Sequence, residues 1–241
     1  MDIQTRWVKV PNQDLEIASY LAQPVAAGTY PGIIVIQEIF GVNAHIRDVT
    51  ERIARLGYVA IAPSIYQRQA PGFETGYTPA DVEQGRIYKD QTTAAELLSD
   101  IQATIDYLKR EFGITQFGTI GFCFGGHVVY LAATLPDVRV TASFYGGGIA
   151  AMTPGGGEPT ITRTAEIRGT IWCFFGTRDP LIPNEEADQI EQELQKQGID
   201  HQVFRYDADH GFFCNERDSY DPQAAADSWE KVQELFSRLR P

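Results

Sequence analysis

Three cysteines in 241 residues, none close to another, do not support a disulfide framework or a zinc site. Cys123, Cys173 and Cys214 are odd in number and form no Cys-x-x-Cys pair. Thiols in this pattern are expected to stay reduced, in the cytoplasm. Basic residues are also scarce: 20 Lys and Arg stand against 32 Asp and Glu, a formal charge of −12. Such a balance repels nucleic-acid phosphates and anionic membrane surfaces, and no basic stripe offsets it. Long apolar runs are missing. The longest near the N-terminus, Ile33 to Ile36, is too short to cross a bilayer. Met1 to Trp7 lacks the basic-then-apolar order of a signal peptide. Histidine occurs only four times, as His45, His127, His201 and His210, so an imidazole base has few candidates. No cluster of residues implies a metal or an organic cofactor.

What is present reads as one α/β domain over residues 1–241, long enough for a large core and short for two. Arg6 to Val10 and Leu15 to Ala22 are strand-like and flank the turn cluster Pro11-Asn12-Gln13-Asp14, which predicts an N-terminal antiparallel hairpin. Gly32 to Gln37 is a short continuous apolar run, the pattern of a strand buried on both faces. Helix periodicity follows from Ala44 to Leu56, then a strand from Tyr58 to Ala62. The segment 64–78 has no period and is expected to be a long functional loop or a cap. Helix returns from Asp81 to Glu111 in two pieces. Strands are expected at Phe117 to Gly121, Arg139 to Tyr145, Ile171 to Phe175 and Gln202 to Tyr206. Helices are expected over Val128 to Leu135, Asn184 to Gln197 and Asp221 to Leu239. Two glycine triplets bracket an irregular segment at 146–160. This alternation predicts a mainly parallel central sheet with helices on both faces and active residues at the carboxyl ends of strands.

The most informative stretch is Gly121-Phe122-Cys123-Phe124-Gly125-Gly126, where an apolar strand passes directly into a helix. This is the layout of a nucleophile elbow with cysteine in the place of serine, and it points to hydrolytic chemistry. A cysteine nucleophile needs a base, and the base needs an orienting carboxylate. In the α/β-hydrolase order these follow as nucleophile, acid, histidine. His210 lies in the loop Asp207-Ala208-Asp209-His210-Gly211-Phe212 just past the last strand, whereas His201 begins that strand. His127 sits in the elbow helix and is expected to point away from the site. Asp179, in Gly176-Thr177-Arg178-Asp179-Pro180 after the preceding strand, is the natural acid, with a turn or capping aspartate as its alternative. Asp207 and Asp209 are rivals that share the histidine's loop and read as turn residues.

These motifs, together with Gln37-Glu38-Ile39-Phe40-Gly41, His210-Gly211-Phe212 and the tail bearing Tyr220, Ala224-Ala225-Ala226 and Trp229, resemble the dienelactone hydrolase family from Arg6 to the C-terminus. The resemblance implies an α/β-hydrolase fold and a Cys123-His210-Asp179 triad that opens an enol-lactone or cleaves a small carboxylic ester. It further implies that Glu38 interacts with the resting thiol and keeps it neutral, since a nearby negative charge raises a thiol's pKa. It places an oxyanion hole at the backbone N–H groups of Ile39 and Phe124. Family members that act on the dienelactone hold its carboxylate with arginines and a tyrosine. One of those arginines lies four residues past the histidine, where this chain has Cys214. Arg217 is a candidate substitute, and Arg86 and Tyr88 lie in the segment of the other contacts at different spacing. The partner implied is a small lactone or ester, and the chain is expected to be a monomer or weak dimer. A broader esterase for uncharged esters and a non-catalytic ligand-binding relative are the competing readings.

Overall fold

The computed structural model describes residues 1–240. Strands β1 (Ile3–Asn12) and β2 (Leu15–Pro24) form the N-terminal hairpin. The turn between them is tighter than the sequence suggests, with Gln13 in the left-handed region at φ 54°. Pro11 lies inside β1 rather than in the turn. That is tolerated because β1 is an edge strand, where a missing N–H breaks no second ladder. Next come β3 (Gly32–Ile36), α1 (Ala44–Arg55), β4 (Val59–Pro63), α2 (Pro79–Asp90), α3 (Ala94–Phe112), β5 (Phe117–Phe122) and α4 (Phe124–Ala132). The chain ends with β6 (Val138–Phe144), β7 (Thr170–Gly176), α5 (Asn184–Lys196), β8 (His201–Tyr206) and α6 (Pro222–Ser237).

All eight strands form one sheet in the order β1-β2-β4-β3-β5-β6-β7-β8. The hairpin and its junction with β4 are antiparallel, and β4 through β8 run parallel. The period of two along β3 divides the core. Ile33 and Val35 face Ile46, Val49 and Ile53 of α1 and Val232, Leu235 and Phe236 of α6. Ile34 and Ile36 face Ile101, Ile105 and Leu108 of α3 and Val128 and Val129 of α4. Helices therefore cover both faces of the sheet, as the sequence leads one to expect.

Helix starts are set by local chemistry. Asn43 caps α1 by accepting the Ile46 N–H. Thr78 with Asp81 forms a capping box that opens α2, and Thr93 with Glu96 forms a second that starts α3 and so splits the long helical stretch. Gly113 closes α3 in the left-handed conformation at φ 65°. The segment 64–78 is irregular and is pinned to the loop after β3 by a bridge between Gly41 and Glu74 and to α1 by the Arg47–Glu74 ion pair.

Truncating Ile101, fully buried at the centre of α3, tests this packing. Ile101→Ala is expected to lower the free energy of unfolding by about 2–5 kcal/mol, read from urea denaturation. A loss below about 1 kcal/mol would show that α3 is not clamped on the sheet as described.

Candidate active site

Five parallel strands deliver their carboxyl ends to one rim. Glu38 follows β3, Cys123 follows β5, Tyr145 follows β6, Asp179 follows β7 and His210 follows β8. Cys123 stands between strand and helix at φ 56° and ψ −118°, a conformation that side-chain-bearing residues rarely adopt. The turn closes because its neighbours lack side chains. A Cβ on Gly121 would strike the Gly125 carbonyl, and one on Gly125 would strike the carbonyls of Gln37 and Ile36. Helix α4 thus begins at Phe124, four residues earlier than periodicity suggests, because the glycines allow it to start at the turn itself.

His210 Nδ1 lies 2.7 Å from Asp179 Oδ2, with both side chains buried. Asp179 Oδ1 accepts the N–H groups of Leu181 and Ile182 at 2.8 and 3.2 Å, so one carboxylate shapes its own turn and orients the imidazole. The rivals are occupied elsewhere. Asp209 accepts the His210 N–H at 2.8 Å, and Asp207 pairs with Arg178 at the surface. The ring of Tyr145, itself at φ 35°, meets the imidazole edge-on at 5.1 Å between centroids. Burial works against an imidazolium here. It is outweighed by the negative charge of Cys123 and by the Asp179 and Cys123 interactions, which lift His210 to about 10. Nε2 is nonetheless buried without a well-formed hydrogen bond, so the sulfur influences the ring without meeting it in good geometry.

Glu38 is 1% exposed, and burial pushes its carboxyl up while Arg217 and His210 pull it down. Its Oε1 accepts from Arg217 Nη1 at 2.9 Å. The resemblance implies a contact of Glu38 with the thiol, but the hydrogen bond found among the described residues is to Arg217. The guanidinium lies 5.8 Å from the ring centres of both Phe40 and Tyr77. It also crosses Gly211, whose φ of 80° leaves no space for a Cβ against it. Among the described residues, the backbone N–H groups of Ile39 and Phe124 have no hydrogen-bond acceptor, and both residues border the same cavity.

That cavity, of about 260 Å³, is lined by Cys123 and His210 together with Ile39, Phe40, Phe124 and Ile182, and by the cations Arg86, Lys89 and Arg217. Arg86 and Arg217 thus line the same cavity as the thiol. Tyr88 is not: it packs against Phe73 and Tyr66, at 4.8 and 6.1 Å. The reason is helical phase. Val82, Arg86 and Lys89 fall at i, i+4 and i+7 on the face of α2 that meets the cavity, and Tyr88 lies off that stripe. Gly85 seats α2 directly on the Ile39 carbonyl. The stripe is the signal that identifies Lys89. His127 also differs from expectation, because it lines the cavity instead of turning away. Its Nδ1 lies 3.0 Å from the Gly147 carbonyl and its Nε2 2.7 Å from Thr160 Oγ1, which fixes the glycine-rich segment against the site. Burial lowers its pKa to about 4, so it is neutral.

A sequence profile of the dienelactone hydrolase family matches residues 17–239. The chain belongs to that family. It is 60% identical over 239 residues to a Synechocystis protein provisionally named carboxymethylenebutenolidase, covering 98% of this chain and 97% of that one. A Methylorubrum extorquens protein of the same provisional name is 32% identical, over 95% and 79% of the two chains. Among solved structures, one described provisionally as a dienelactone hydrolase from Klebsiella pneumoniae superposes with a TM-score of 0.90 at 28% identity, covering 98% of this chain and 99% of the other. Family membership accounts for the fold, with its parallel sheet and rim of loops.

The folded-state value of His210 lies above the ordinary 6.5. Stability from its charged form is therefore complete below about 6.5 and is lost as pH rises through about 10. Cys123→Ala is expected to move the His210 titration to lower pH in histidine-detected NMR, since burial then opposes the charge with only Asp179 in support. An unchanged titration would show that the sulfur does not act on the ring.

Proposed function

We propose that this dienelactone-hydrolase-family chain hydrolyses an enol-lactone or a small carboxylic ester through an acyl-enzyme on Cys123. The observation that carries the reading is the elbow: a thiol on a φ 56° turn, beside an imidazole held 2.7 Å from a buried carboxylate. The Cys123 thiolate attacks the carbonyl carbon, and the developing oxyanion is stabilised by the N–H groups of Ile39 and Phe124. Collapse breaks the ring C–O bond, and the imidazolium of His210 protonates the leaving enolate. Water, deprotonated by His210, then attacks the thioester, releases the acid and restores the thiolate. Asp179 keeps the imidazole in the tautomer that presents Nε2 to the sulfur. Glu38 contributes negative charge near the thiol and holds Arg217 in place.

The wall chemistry indicates a substrate with an apolar body and an acidic end. Arg86, Lys89 and Arg217 bring positive charge to an otherwise apolar cavity, and guanidinium suits a carboxylate. One observation favours the second reading, a broader esterase for uncharged esters: the Glu38–Arg217 pair already satisfies part of the Arg217 charge.

Cys123→Ala is expected to reduce hydrolysis of an enol-lactone or an activated ester by on the order of a thousandfold or more. Retention of most activity in steady-state assays would overturn the mechanism. Arg217→Ala is expected to raise KM for a carboxylated enol-lactone about 10- to 100-fold and to leave its methyl ester nearly unaffected. Equal effects on the two substrates, or a wild-type preference for the methyl ester, would support the uncharged-ester reading.

A further inference from the structure

Behind Arg217 lies a second cluster of ligating side chains that hydrolysis leaves largely unused. Glu38, His45 and Cys214 are all buried, and one ligating atom of each lies within 4.8 Å of those of the other two. They come from three separate places: the end of β3, the first turn of α1 and the loop that carries His210. Two of them have spare capacity. Glu38 Oε1 accepts from Arg217, but Oε2 is buried without a hydrogen-bond partner among the described residues, and so is His45 Nε2. Leaving such atoms unsatisfied costs on the order of 1–3 kcal/mol each, which makes two in one place unusual without a ligand. The third, Cys214 Sγ, donates only one long bond, to Tyr77 Oη at 3.3 Å.

We propose that Glu38, His45 and Cys214 bind a divalent cation of the zinc type, next to but separate from Cys123. One carboxylate oxygen, one imidazole and one thiolate form a mixed O, N and S set. That set suits a borderline-soft cation and not magnesium or calcium, which take oxygen alone. Binding forms a metal–sulfur bond and releases the Cys214 proton to solvent, so the site gains one net positive charge and not two. His45 is already neutral, because burial holds its pKa near 3. When the thiol ionises, Tyr77 can turn its O–H toward the sulfur, since Asn43 Nδ2 already supplies a donor to the phenol oxygen at 3.0 Å.

Arg217 is the opposing charge, and it determines the consequence. Its guanidinium occupies only Oε1, and its side chain is 19% exposed along the cavity wall, so it has space to turn outward. A cation on Oε2 competes with it for Glu38. Occupancy therefore displaces a wall residue of the cavity above Cys123, and the site is inhibitory.

Cobalt(II) titrated into full-length Cys123→Ala protein tests this, because the variant removes the one partly exposed thiol as a competing ligand. The expected result is a thiolate-to-cobalt charge-transfer band in the near ultraviolet, bleached when zinc is added. The band is lost in Cys123→Ala/Cys214→Ala and weakened about tenfold or more in affinity in Cys123→Ala/His45→Gln. Zinc also raises the thermal midpoint of Cys123→Ala, less so that of the His45→Gln double variant and not that of the Cys214→Ala double variant, and this readout needs no catalysis. In protein with Cys123 intact, Cys214→Ala keeps its hydrolytic activity and loses zinc inhibition. No band in Cys123→Ala, or a band that survives loss of Cys214, overturns the proposal. The His45→Gln arm decides the matter if the Cys214 variant folds poorly.

Discussion

The backbone contact at the elbow is the constraint on which the site depends. Cys123 is held at φ 56° because α4 starts immediately after β5, and the two approach so closely that Gly121 touches the Gly125 carbonyl. The same approach presses Gly125 on the carbonyls of Ile36 and Gln37, so the elbow also fixes the loop that carries Glu38 and Ile39. Gly126 is packed against the Phe144 carbonyl just ahead of Tyr145. One tight turn thereby sets the relative positions of the thiol, two backbone donors and the ring that packs on His210. Strain of this kind costs of order 1–3 kcal/mol and persists only where the surroundings enforce it, as the two-sided core does here.

Electrostatics forms a second layer on that geometry. The centre holds two carboxylate-to-cation pairs at strand ends, Asp179 with His210 and Glu38 with Arg217, within a mostly apolar wall. Low polarity strengthens both pairs and makes each unpaired atom costly. The two carboxylates are not equivalent. Asp179 uses both oxygens, for its turn and for the imidazole, whereas Glu38 leaves one oxygen unused. Rigidity at the first and spare capacity at the second fit a hydrolytic engine beside an adaptable wall.

Much of this was legible in the chain order. The parallel sheet follows from alternating strand and helix periods, and Cys123, Asp179 and His210 are readable because each lies just past a strand. The Glu38–Arg217 pair is not, since 179 residues separate its members and no local pattern joins them. Tyr88 and Lys89 are neighbours in sequence, and only the phase of α2 relative to Gly85 decides which faces the cavity. The direction of His127 is hidden in the sequence for a related reason: α4 begins at Phe124, and that start aims its first turn at the glycine-rich segment near Gly147. Position along a strand end survives in sequence, whereas side-chain direction depends on where a helix begins.

Trapping the acyl-enzyme tests the central claim most directly. Enzyme turning over a slowly hydrolysed activated ester, quenched in acid and mapped by mass spectrometry, is predicted to carry the acyl group on Cys123 alone. An acyl group on another residue, or turnover with no covalent adduct in the rapid-quench time course, would contradict the account.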